Sequence, residues 1–301
     1  YGQAWTFLQA RSFNACHVII DRNFRPNYTN LQADGIHLFY ASIHRGIYDV
    51  YFHDPFGLSN PRVRIKIGAK NSVGTGVNHH IASIVAGPDI KIWRYETSTC
   101  EKSTLRIYGT TVHEVGHSIQ RSLGIAKFAF CSNLVRESWA DCVEWCFVMH
   151  KYNAPNSIYS NNTRFEVIGT CTNSSKFMEE YPFANFANYD WNHPDDSKRD
   201  RAYSALFIDI IDNSSENTTW RKWRVDANGN AIVERTGQFG DKVSHYTLKE
   251  IENCLANKDW SISWKANLDH IKSWLYLNST NNTKYQLAPY LDFYYNNYEG
   301  N

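Results

Sequence analysis

The sequence predicts an α+β protein, with strands before residue 100 and helices dominating after it. Three observations carry that expectation. Arg62 to Ile67 reads Arg-Val-Arg-Ile-Lys-Ile, an alternation of period two with basic residues on one face, as in a half-exposed strand. From about Ser103 to Leu123 the apolar period becomes helical and stops before Gly124, a residue suited to a helix C-terminus. Trp223 to Glu234 alternates around Asn228-Gly229, a strong hairpin signal inside the otherwise helical part.

The remaining elements follow in chain order. Leu38, Phe39, Ala41, Ile43, Ile47 and Val50 recur at helical spacing and predict a helix from about Leu31 to Tyr51, broken by Gly35 and Gly46. Ile81 to Val85 and Ile90 to Trp93 read as two strands joined by a Gly87-Pro88-Asp89 turn. A second helix after the 103–123 segment is expected from about Ala126 to Met149, and another from about Arg199 to Ile211. Thr247-Leu-Lys-Glu250 is a capping box that opens a helix, and the tail from Trp264 to Tyr295 reads as largely helical. No repeat or low-complexity linker divides the chain. The change in periodicity predicts an N-terminal sheet lobe over 1–125 and a mainly helical C-terminal lobe over 126–301.

Composition narrows the function. A chain of 301 residues buries a full core in one or two domains, and 31 Lys plus Arg against 30 Asp plus Glu leave no basic excess for nucleic acid. No apolar run approaches the roughly 18 residues of a membrane span. The chain begins at Tyr1 without a basic-then-apolar leader, which is expected of an exported protein whose targeting segment was removed, or of a trimmed chain. Sequons at Asn27, Asn161, Asn173, Asn213, Asn217, Asn278 and Asn281 also fit export, whether to the medium, a periplasm or a cell surface. The seven Cys form no Cys-x-x-Cys pair, so neither a zinc ribbon nor a thioredoxin-like motif is offered. Cys142 and Cys146 stand one helical turn apart, where a bridge is sterically poor. Aromatic residues at 15% suit a large rigid core or grooves on which sugars stack.

One motif has a spacing that dictates chemistry, His113-Glu114-Val115-Gly116-His117. Residues four apart on a helix differ by about 40° around its axis, so both imidazoles aim at one metal ion. Glu114 sits beside that line, within reach of a water there. Val112, Val115, Ile119 and Leu123 fall on the other side and anchor the helix in a core. Gly116 inside a helix is explained by close packing of a neighbouring segment.

A catalytic zinc takes three protein ligands and keeps one position open. The pattern with a third His six residues after the second fails, because Leu123 stands there. The next helix carries Glu137, Asp141 and Glu144 on one face, and three carboxylates together repel each other unless a cation or imidazole N–H groups face them. Glu137 is the expected third zinc ligand. Asp141 is expected to accept a hydrogen bond from a ligand His. Glu144 is left without a role at the metal, as a structural partner of Arg136 or of another base.

With these two motifs the sequence resembles the gluzincin class of zinc metallopeptidases, in which His-Glu-x-x-His on one helix is followed by a Glu ligand on the next. Glu137-x-x-Ala140-Asp141 looks like the second motif of that class. Gln120, in His117-Ser-Ile-Gln120, is similar to an extended form seen in several secreted gluzincins, including the basic secretory peptidase type. The resemblance covers about residues 105 to 148 and implies a zincin-like fold, a mixed N-terminal sheet with the active-site helix below it and a helical lobe that supplies the third ligand. It also implies peptide-bond hydrolysis in which zinc polarises the scissile carbonyl and its water, while Glu114 takes the water's proton and passes it to the leaving amine. Such enzymes add a Tyr or His that stabilises the oxyanion. By position, Tyr189 and His193 in Tyr189-Asp-Trp-Asn-His193 are the candidates; His79-His80 are cleft-lining alternatives or a solvated loop.

The expected activity is therefore a zinc-dependent endopeptidase on extended protein or peptide substrates, glycoproteins included. The alternatives beside it are a zinc hydrolase acting on another bond, an aminopeptidase that trims termini, and a glycan- or protein-binding surface module with a structural or inactive zinc site. The intact Glu114 argues against an inactive site, because a non-catalytic zinc has no need of a carboxylate there.

Overall fold

A computed structural model describes residues 4–7, 18–21, 35–59, 67–74, 90–152, 189–191, 206–212, 217–240, 242–257 and 263–297. Its chain divides into two units, one of Tyr1–Ser122 with Val143–Ser175, the other of Leu123–Cys142 with Lys176–Asn301. Helices and small sheets make it α+β.

In the first unit, β1 (Ala4–Phe7) and β2 (Val18–Asp21) pair antiparallel. Helix α1 (Gly35–Phe52) buries Phe39, Ile43, Ile47 and Val50, the stripe that the spacing predicts. Gly46 does not break it. A Cβ there would stand 3.1 Å from Thr111 Cβ and 3.3 Å from the Tyr108 carbonyl oxygen, so glycine lets α1 approach the helix that carries those residues.

The predicted strand over 62–67 meets the described residues only at its end, where β3 (Ile67–Val73) begins; 62–66 and the predicted strand Ile81–Val85 with its turn lie outside them. Strand β3 pairs parallel with β4 (Ile90–Thr97), and β5 (Cys100–Glu101) pairs antiparallel with the far end of β4, giving the order β3-β4-β5. Ile90–Trp93 thus has β3 on one side and, among the described residues, no strand on the other.

Helix α2 (Thr104–Ser122) starts where expected, because the Ser103 hydroxyl accepts a hydrogen bond from the Arg106 backbone N–H at 3.1 Å and caps the first turn. It packs on α1 and β4 and buries Val112, Val115 and Ile119 completely.

The single helix expected over 126–149 is two, α3 (Ile125–Phe130) and α4 (Asn133–Tyr152). Cys131 turns to an extended conformation, and Ser132 and Asn133 follow, residues that favour helix starts over helix interiors. Ser132 is held there by the Asn267 side-chain amide, which donates to its hydroxyl at 2.8 Å. The C-terminal half of α4 belongs to the first unit and is fastened within it. Phe147 meets Phe56 edge to face at 5.1 Å, and Asp49 of α1 receives both the Tyr108 hydroxyl of α2 at 3.1 Å and the Lys151 ammonium of α4 at 2.8 Å. Burial, with the Asp49 carboxylate beside it, pushes the Tyr108 hydroxyl far above its ordinary pKa, so it stays a donor.

The second unit departs from the strands-then-helices order. Besides helices it holds a sheet of order β6-β7-β8, in which β6 (Tyr189–Trp191) lies parallel to β7 (Asn217–Val225). Strand β7 pairs antiparallel with β8 (Ala231–Gly240) in the predicted hairpin, turned at Gly229 with φ of 83°. Asp226 braces that turn by accepting from the backbone N–H groups of Asn228 and Asn230, both at 2.8 Å. Of the helix predicted over 199–211 the described part is α5 (Ile208–Ile211). Helix α6 (Leu248–Ala256) opens with the Thr247–Glu250 capping box, and the tail forms α7 (Trp264–Asn278), a 3-10 turn (Lys284–Gln286) and α8 (Leu287–Asn297). Leu248, Ile251, Leu268, Ile271, Leu275, Leu291 and Tyr294 form the apolar core of these helices. No helix among the described residues is long and apolar enough to cross a membrane.

Candidate metal centre

Helix α2 is apolar on one face and polar on the other, yet both faces are buried: His113, Glu114, His117 and Gln120 are each 6% exposed or less. The one-turn spacing sets the His113 and His117 rings edge to face with centroids 4.8 Å apart. Against this face α4 presents its carboxylates. Glu137 and Asp141 are half-buried, whereas Glu144, two turns past Glu137, is 1% exposed.

Two sets of potential ligands result. Atoms of His113, His117 and Glu137 lie within 4.8 Å of one another, and so do atoms of His113, Asp141 and Glu144. Both sets share His113, whose imidazole has two nitrogens to offer. Nδ1 faces the second set, with Glu144 Oε2 at 3.3 Å. Two imidazoles and one carboxylate suit a borderline divalent cation, and a cation facing buried carboxylates removes the repulsion and desolvation they otherwise suffer. The donor set therefore fits a metal ion.

The structure brings together His113, His117 and Glu137 as the sequence predicts, and Glu114 is buried on the same helix. Asp141 joins the set around His113, as does Glu144, the carboxylate expected to have no role at the metal, whose Oε2 lies 3.3 Å from His113 Nδ1. Arg136 is not its partner, since it bonds to Asn133 and lies over the Phe128 ring at 5.4 Å. The sequence signal for Glu144 was its place on the Glu137–Asp141 face. Tyr189 is a residue of β6, paired with Trp220 rather than in a loop, while His193 and His79-His80 lie outside the described residues. Cys131, Cys142, Cys146 and Cys254 are not in disulfides, and Cys100 is disulfide-bonded.

No family model, curated protein or solved structure matches this chain.

Proposed function

We propose that the protein is a zinc-dependent peptidase of the gluzincin type, with a zincin-like arrangement of sheet lobe, active-site helix and helical lobe. The observation that carries this reading is the convergence of His113, His117 and Glu137 from two helices onto one point, with Glu114 buried beside the two His. His113, His117 and Glu137 hold the ion. Zinc, when bound, supplies a Lewis acid that acidifies water and polarises a carbonyl. Glu114 takes a proton from the attacking water and delivers it to the departing amine. Tyr189 and His193 are the candidates for the donor to the oxyanion.

The substrate is an extended protein or peptide segment. Along Ile90–Trp93 the side of β4 that carries no strand among the described residues is the proposed place for such a segment to add, with main-chain hydrogen bonds setting its register. Secretion fits the disulfide at Cys100 together with the sequons.

Quenched fluorescent peptides, cleaved with and without a chelator, test the reading. Cleavage is expected to stop on chelation and return with zinc, and Glu114→Gln is expected to retain zinc while losing on the order of 100-fold or more in turnover. Turnover that survives either change overturns the assignment. N-acetylated peptides should be cut as well as free-amine ones; loss on acetylation means an aminopeptidase instead.

A further inference from the structure

We propose that Cys131 and Cys254, buried where the α3–α4 junction and α6 meet one turn of α7, are joined by a disulfide when the chain folds in an oxidising compartment. Such a bond is independent of the zinc reading. It needs export, which the disulfide at Cys100 supports.

Three hydrogen bonds bring the two residues to one place. One turn before Cys131, the Lys127 ammonium donates to the carbonyl oxygen of Ala256 at 2.6 Å, which ties α3 to the last turn of α6, where Cys254 lies. Directly after Cys131, the Ser132 hydroxyl accepts from the Asn267 amide of α7 at 2.8 Å. One turn further along α7, His270 Nε2 meets the carbonyl oxygen of Cys254 at 3.4 Å. Asn267 and His270 share a face of α7, so the backbones of Cys131 and Cys254 are held against the same turn. Both cysteines are unbridged in the structure and buried, at 4% and 1% exposure. Burial, and after it the neighbouring Cys131, push the Cys254 thiol above its ordinary pKa.

The chemistry of a buried thiol sets the time at which the bond forms. The thiolate is the attacking species, and a thiol buried in apolar surroundings offers little of it. Oxidation therefore takes place during folding, before the core closes over the pair. One protein thiolate attacks a sulfur of an external disulfide, small or carried by a thiol oxidoreductase, and expels the first leaving thiolate. The second protein thiolate attacks the protein sulfur of that mixed disulfide and expels the other. The protein loses two electrons and two protons, and the oxidant leaves as two thiols. The new bond closes the long loop between positions 131 and 254, which constrains the unfolded chain. It also pins the start of α4, the helix that carries Glu137, to α6.

Thiol mapping tests the pair on the whole chain exported to a bacterial periplasm. The protein is unfolded in urea with N-ethylmaleimide and no reductant, then digested and read by mass spectrometry. Cys131 and Cys254 are expected in one linked peptide pair, unlabelled until reductant is added. Cys131→Ser should raise labelling of Cys254 from almost none to nearly complete, and Cys254→Ser should do the same for Cys131. The wild-type map decides by itself if either variant fails to fold. Labelling of both cysteines in the unreduced wild type, or a bond from either to a different cysteine, overturns the proposal. If Cys100 stays protected in that protein, the pair alone has failed and the case for export stands; a Cys100 that labels as well removes the support for export too.

Discussion

Helices α2 and α6 each seat an apolar face in a core, and they treat buried polar side chains in opposite ways. In α6 the carboxylate of Glu252 is 1% exposed and is answered from its own helix by Lys249, one turn earlier. Thr247 and Glu250 close their capping box within the first turn, at 2.8 and 3.1 Å. In α2 the buried His113 faces a carboxylate from α4, and His117 converges with it on another. Locally answered polar groups finish a helix. Groups gathered from separate elements cost desolvation and ordering, and that expense is understandable where chemistry needs them.

The comparison yields tests of decreasing size. Ile119 is completely buried on the apolar side of α2, opposite the ligands, so Ile119→Ala is expected to lower stability by about 2–5 kcal/mol in urea unfolding. A change under about 0.5 kcal/mol would mean that the apolar face is not what seats α2. On α6, Thr247→Ala removes the cap alone and should cost about 1 kcal/mol without altering zinc content. A loss of zinc in that variant would break the division between the two helices.

The smallest effect concerns acid. His44, on the α1 face of the first unit, has its pKa lowered by burial, only partly offset by the nearby Asp49 charge. Above the ordinary imidazole pKa of about 6.5 both folded and unfolded states are neutral there, and stability is independent of pH on this account. Below it the unfolded chain takes up a proton that the folded chain resists, so stability falls as pH drops. His44→Gln should flatten that decline between about pH 6.5 and 5 in urea midpoints. An unchanged slope would assign the acid sensitivity to other groups.

Most of the described helices were legible because their signals are local. The Thr247–Glu250 box, the Asn228-Gly229 hairpin and the stripe of α1 depend on residues within a few positions of each other, and each appears as expected. The break at Cys131–Ser132 was not legible, since apolar periodicity runs across it and the contact from Asn267 that holds Ser132 comes from far along the chain. Gly46 misled for the same reason: it reads as a helix breaker until the approach of Thr111 supplies its purpose. At the site, the pairing of the His113–His117 helix with Glu137 could be read from spacing. The different depths of Asp141 and Glu144 could not, because residues on one helical face differ in depth only when the opposing helix is in place, and the atoms nearest a Cβ at Gly109 are those of Glu144.

The central claim is that His113, His117 and Glu137 form one metal centre. Elemental analysis after zinc loading and dialysis against dilute chelator tests it most directly, comparing the wild type with Glu137→Ala. The account predicts one zinc per wild-type chain and only a small fraction of that in the variant, with the far-ultraviolet spectrum unchanged. Equal zinc in both proteins, or none in the wild type, would contradict it.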